Sequence, residues 1–312
     1  MTSNTPMEIF LAIDGSEHSL TGARLIHDLP LPANSNVTLL GVLTPRQSPG
    51  RAALLQASDK AKRILEGSGA ETKSGLLHGH PAEALTDFSD THPHDLLIVG
   101  AQGLHAKLGI LLGGVAQQVV EKACGPVLIV RAPYSGLRRV LLTTDGSLHS
   151  RNTVAFLARF PLPAGAEVQV MHVLPPLAEP RLPGMSEQFP TRFPGAGVAP
   201  DFSSQVTQAV AQQGMHEQRA GYAILDAAVE MLRRAGIQAS SILVRGDAAT
   251  EIIDTVKAHT IDLVVAGSRG LGAVKGWLLG SVSRRLVHDA GCSVLIVREE
   301  LEAGGGDVEL HA

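Results

Sequence analysis

The residues best suited to chemistry lie in one run near the end of the chain. It reads Val264-Val-Ala-Gly267-Ser-Arg269-Gly270, then nine residues, then Gly280-Ser281-Val282-Ser283. The run leaves an aliphatic, strand-like stretch and enters a helix-like one. Glycine lets the main chain approach a phosphate chain without a Cβ in the way. Free N–H groups at the start of the next helix point at bound anions, and the helix dipole favours them. Ser281 adds a hydroxyl donor and Arg269 a cation. The spacing belongs to neither the P-loop nor the dinucleotide fingerprint, and GxxxxGK[ST] occurs nowhere in the chain. A second run repeats it: Gly100-Ala-Gln102-Gly103, nine residues, then Gly113-Gly114-Val115. There Gly114 stands in place of the hydroxyl and Gln102 in place of the arginine. One hydrogen bond to a charged phosphate contributes about 1.5–3 kcal/mol. Its loss predicts roughly ten- to hundredfold weaker binding at the first run.

Other reactive side chains carry weaker patterns. Asp14 and Asp145 each open an Asp-Gly-Ser turn after an apolar run, where a carboxylate can cap the next helix or meet a ligand. Asp145, Ser147 and His149 lie too close along one turn for a hydrolase triad, and no GxSxG elbow is present. His78, His80, His92 and His94 sit in loop-like flanks with no cysteine near, so a zinc site is not expected. His18 and His149 are expected as surface residues of the helices after those turns. Cys124 and Cys292, each just before a strand, are expected to be buried inert thiols. Two cysteines cannot build a disulfide framework.

These groups need a scaffold, and the chain supplies it twice. Ile9 to Ser19 recurs as Val140 to Ser150, including both Asp-Gly-Ser turns. Leu29-Pro-Leu-Pro-Ala is echoed by Phe160-Pro-Leu-Pro-Ala, and Asn36–Val42 by Glu167–Val173. Later, Asp95–Gly100 matches Asp262–Gly267, and Pro126–Arg131 matches Ser293–Arg298. Early matches lie 131 positions apart and late ones 167, so the second copy holds about 36 extra residues. Two copies of this size imply two domains rather than a solenoid. They are expected at 7–132 and 137–299, with a flexible tail at 300–312. In the first copy, strand-like runs at 8–13, 37–42, 74–78, 95–99 and 126–131 alternate with helical patterns near 17–28, 50–67, 80–90 and 113–123. The run at 74–78 is the weakest. Alternation of this kind implies an α/β fold: two tandem, doubly wound, mainly parallel five-stranded sheets with flanking helices. Ligands of such sheets sit beyond the carboxyl ends of the strands, where the strand order reverses. An insertion near 175–203 is rich in proline and glycine and reads as a surface loop. A long helix near 204–235 follows.

Composition narrows the function further. The 312 residues are 44% hydrophobic and 18% charged, with net charge −4. Nothing resembles a polyanion-binding surface, so nucleic acid is not expected. No secretory leader or membrane-length apolar stretch is read from the chain, and a cytoplasmic location is the expectation.

The pattern G-x2-G-x9-G-[S/T], met in full by Gly267, Gly270, Gly280 and Ser281, resembles the ATP-binding signature of universal stress proteins. The Asp145 turn and the strand ending His172-Val173 also resemble that family, and the resemblance runs through both copies. It implies a Rossmann-like fold of the adenine nucleotide α-hydrolase type and a stress-response role. It also implies ATP, with Mg2+ bridging its phosphates. By that resemblance Asp145 and Val173 line the adenine and ribose end, and Gly267 and Gly270 pass beside ribose and phosphates. Arg269 is a candidate phosphate contact, while Gly280, Ser281 and Val282 hold phosphates. Asp14, Val42, Gly100, Gly103, Gly113, Gly114 and Val115 are the matching positions of the first copy. The resemblance further implies pairing of the last strands, as a pseudo-dimer within the chain, and leaves a homodimer and an unknown protein partner open. No general base or arginine finger stands beside the glycine run, so at most weak ATP hydrolysis is expected. The alternatives are a slow ATPase and a nucleotide-independent interaction module.

Overall fold

Residues 5–44, 50–104, 112–177, 202–270 and 279–298 are described by the computed structural model. The first half runs β1 (Glu8–Ala12), α1 (Glu17–Asp28), β2 (Asn36–Leu43), α2 (Arg51–Leu65), β3 (Glu71–His78), α3 (Pro81–Thr91), β4 (Leu96–Gly100), α4 (Gly114–Lys122) and β5 (Val127–Val130). The second repeats it: β6 (Arg139–Thr143), α5 (Leu148–Arg159), β7 (Glu167–Leu174), α6 (Phe202–Arg234), β8 (Ala239–Arg245), α7 (Ala248–Ala258), β9 (Leu263–Gly267), α8 (Ser281–Asp289) and β10 (Ser293–Val297). Most of the insertion, Trp277 and the tail lie outside the described residues.

Successive side chains of a buried strand face opposite sides, and the central strands use both. Ile98, Leu128 and Val130 enter a core shared with α1, α2, α5 and α6. Their neighbours Leu97, Val99, Val127 and Ile129 enter a second core with α3, α4, α7 and α8. The aliphatic runs are therefore continuous rather than alternating, as strands covered on both faces require. β3 differs because it is an edge strand with Glu71, Lys73 and Ser74 exposed. It begins three residues before the expected apolar run, since its first residues pair with β2 through backbone alone (Asn36 with Glu71 onward).

Each half has strand order β3-β2-β1-β4-β5 or its equivalent, and all pairs within a half are parallel. The order reverses between β1 and β4, and again between β6 and β9. The halves do not stop at their fifth strands. β5 and β10 pair antiparallel, with Leu128 opposite Leu295, to give one ten-stranded sheet.

Two arginines fasten this junction reciprocally. Arg131, just past β5, donates from a guanidinium nitrogen to Val287 O in the last turn of α8, at 2.7 Å. Arg298, just past β10, donates to Val120 O and Glu121 O in the last turn of α4. Terminal helix carbonyls lack partners within the helix, and a cation there also suits the dipole. Each half thus caps the other's last helix.

Candidate nucleotide site

The turn after β1 is built by its own side chains. The Ser16 N–H donates to Asp14 Oδ1 at 2.9 Å, and Ser16 Oγ caps α1 by accepting from the Ser19 N–H at 3.2 Å. The turn after β6 does the same, with Ser147 N–H to Asp145 Oδ1 at 3.0 Å and Ser150 N–H to Ser147 Oγ at 3.2 Å. The helix caps are the serines; the aspartates hold the turn one step upstream. Asp14 also ties that turn to the glycine run, because its Oδ2 accepts from the Leu104 N–H at 3.2 Å.

The glycines of each run divide by what surrounds them. A Cβ on Gly103 would lie 2.8 Å from Asp14 Oδ2, and one on Gly270 2.5 Å from Asp145 Oδ2. A Cβ on Gly100 would lie 2.9 Å from both His18 Cβ and the Ser19 backbone nitrogen. Gly113 and Gly280 close their nine-residue loops at the neck, donating to Ala101 O and Ser268 O at 2.7 Å. They are also the N-caps of α4 and α8 and offer no side-chain cap, which leaves first-turn N–H groups available to a ligand. At Gly114 an added Cβ meets nothing within 4 Å.

Each half has a cavity beyond its strand reversal. In the second it measures about 550 Å³ and is lined by all eight expected residues: Asp145, Val173, Gly267, Arg269, Gly270, Gly280, Ser281 and Val282. In the first it measures about 510 Å³ and is lined by Asp14, Val42, Gly100, Gly103, Gly113, Gly114 and Val115. Met171, Ile252 and Ala266 form an apolar wall in the second, and Leu40, Leu85 and Val99 form one in the first. Sequence reasoning missed Arg284, which lines the second cavity one turn into α8. It also missed Ser283, whose hydroxyl donates to Gly267 O at 2.7 Å and fixes the strand end against the helix. Their spacing from Ser281 was the available signal. The Arg269 Nε is buried without a hydrogen-bond partner among the described residues.

Other expectations fare unevenly. No group of three His, Cys, Asp or Glu that could hold a metal exists among the described residues. His92 and His94 stack on Phe88 and Phe10, at 4.0 and 4.8 Å between ring centres. His18 is half-buried on α1, and the Ala132 N–H donates to its Nδ1 at 3.0 Å, joining α1 to the segment after β5. Cys292 is buried as expected, and burial pushes its thiol up to about 12. Cys124 is exposed, contrary to expectation: it falls in the turn after α4, between the buried Ala123 and Gly125. Partial desolvation and then Asp90 still raise its thiol above the ordinary value.

A doubly wound half-sheet with an aspartate turn, a glycine neck and a cavity at the reversal, made twice, is an α/β nucleotide-fold arrangement. The profile of the universal stress protein family matches residues 7–131 and again 136–298, and the chain belongs to that family. A universal stress protein of Mycobacterium tuberculosis (strain H37Rv) is 26% identical over 263 residues, spanning 81% of this chain and 78% of the relative. YxiE of Bacillus subtilis is 41% identical over 78 residues, spanning 25% of this chain and 53% of the relative. Among solved structures, a universal stress protein from Archaeoglobus fulgidus superposes with TM-score 0.60 at 18% identity, covering 95% of this chain and 97% of that one. PA1789 of Pseudomonas aeruginosa, described as functionally unknown, gives 0.63 at 15% identity, covering 95% and 94%. At these identities the likeness concerns the fold. No helix among the described residues is long and apolar enough to cross a membrane.

Proposed function

We propose that this universal stress protein binds ATP in the cavity of its second half and acts as a nucleotide-dependent regulator rather than a strong catalyst. One observation carries the reading: the eight residues of the signature and its partners, at or just beyond the ends of β6, β7 and β9 and the start of α8, line a single cavity at the strand reversal. The apolar wall suits a base, and the uncapped start of α8 with the Ser281 hydroxyl suits phosphate. The buried Nε of Arg269, without a hydrogen-bond partner among the described residues, fits an anion beside it. Mg2+ usually keeps several waters and binds phosphate oxygens, so it needs no dedicated protein cage. When bound it would neutralise phosphate charge. Regulation then requires that a partner bind the occupied and empty forms differently.

The test is to purify the chain without added nucleotide, denature it, and quantify released small molecules against protein. The reading expects about one ATP per chain, reduced by Gly280→Asp and unchanged by Gly113→Asp. No nucleotide in the purified chain, and no binding of added Mg-ATP, would overturn it in favour of a nucleotide-independent interaction module.

A further inference from the structure

The two cavities are nearly equal in size, yet their charge is opposite. Asp145, Arg269 and Arg284 are the charged residues lining the second among the described residues, a balance of one positive charge. Asp14 is the only charged lining residue of the first among the described residues, a balance of one negative charge. Both arginines have glutamine at the matching position: Gln102 for Arg269, and Gln117 for Arg284. Gln117 does not face the cavity; its amide donates to Glu121 on its own helix at 3.2 Å. Ser281 is matched by Gly114, so a hydroxyl donor is lost as well.

The part of the first cavity that would take a base is intact. Leu40, Val42, Leu54, Leu85 and Val99 line it, and the start of α4 still offers uncapped main-chain N–H groups. That end suits a flat ring and ribose. Among the described residues, the first cavity lacks the arginines that would neutralise a polyphosphate.

Resting on the ATP reading for the second half, we infer that the first cavity binds an adenine nucleoside carrying no more than one phosphate. The two halves therefore sort ligands by phosphate charge. Each charge-assisted hydrogen bond to phosphate changes affinity by about ten- to hundredfold. Replacing two arginines by glutamine, and a serine by glycine, thus moves the preference for triphosphate over monophosphate by at least a hundredfold between halves. A single phosphate at the uncapped helix start retains the backbone donors and the dipole.

The test is calorimetric titration of the intact chain with adenosine, AMP and Mg-ATP, alone and in competition. The expected wild-type result is one Mg-ATP site, plus a second site that takes adenosine or AMP while the first stays filled with ATP. In the chain carrying Gln102→Arg and Gln117→Arg, the Mg-ATP stoichiometry should rise to two. The reciprocal Arg269→Gln, Arg284→Gln chain should lose Mg-ATP affinity a hundredfold or more while adenosine affinity changes less than threefold. Circular dichroism and urea midpoints confirm that each variant is folded. Two wild-type Mg-ATP sites of affinity within threefold overturn the inference and leave the ATP reading standing. So does a stoichiometry that stays at one in the folded arginine-gain chain. Adenosine or AMP binding without any ATP binding overturns the ATP reading instead. No binding of any of the three overturns both.

Discussion

Gly100 sits in the glycine signature, yet its neighbours are protein, and replacing it by alanine separates packing from ligand binding. The new Cβ would lie 2.9 Å from the Ser19 backbone nitrogen and 2.9 Å from His18 Cβ, against an ordinary contact of 3.4–4 Å. Neither neighbour is the tip of a flexible side chain. Relief requires α1 to withdraw by several tenths of an ångström, and α1 is held by Leu20, Leu25 and Ile26, all nearly fully buried. Overpacking of this kind costs about 1–3 kcal/mol. Gly114→Ala is the matched control within the same signature. Its Cβ meets nothing within 4 Å, and it lies at the first residue of α4. There alanine should stabilise by about 0.4–1 kcal/mol by restricting the unfolded chain. The two variants should therefore differ by roughly 1.5–4 kcal/mol in nucleotide-free urea unfolding at unchanged slope. Equal midpoints for Gly100→Ala and Gly114→Ala would refute the division of the signature into packing and ligand glycines.

Two further outcomes are expected. Arg298→Met leaves the Val120 and Glu121 carbonyls without their donor and should cost about 1.5–3 kcal/mol, with Arg131→Met costing a similar amount; wild-type melting of both would show that the reciprocal capping is dispensable. Burial raises the Cys292 thiol from 9.0 to about 12 in the folded state, so the fold holds its proton more tightly than the unfolded chain does. That contribution is complete below about pH 9 and is lost as pH climbs towards 12. Urea midpoints of Cys292→Ala should fall less steeply than wild type over that window, and parallel curves would count against the assignment.

Much of this was legible in the sequence because the informative signals were repeated. Runs such as Val127–Val130 and Val294–Val297 announce strands covered on both faces, and the Asp-Gly-Ser turns mark where helices begin. The glycines and Ser281 could be named because strand ends and helix starts fix where a parallel sheet presents its ligand, whereas Val173 and Val42 came from the family resemblance. β3 was only half visible, since an edge strand is held by backbone pairing that leaves no apolar trace at Glu71 and Lys73. The hydrogen bond of His18 leaves no trace in the sequence because its partner, the Ala132 N–H, lies 114 positions away. Cys124 departs from expectation because the turn between the buried Ala123 and Gly125 sends its side chain to solvent, which an apolar pattern does not record. Arg284 was overlooked because helical periodicity, rather than the glycine spacing, brings it back to the cavity.

The junction between β5 and β10 has a consequence for how the two halves can differ. Were the same contact made between two identical chains, it would be self-complementary, and every substitution would appear on both sides at once. A change that suits one side but harms the other could not be taken up alone. Joining both partners in one chain removes that restriction. Arg131 can be altered without altering Arg298, and Gln102 can stand opposite Arg269 with the shared sheet unaffected. A covalent pair of this kind is released from symmetry while keeping the geometry that symmetry built.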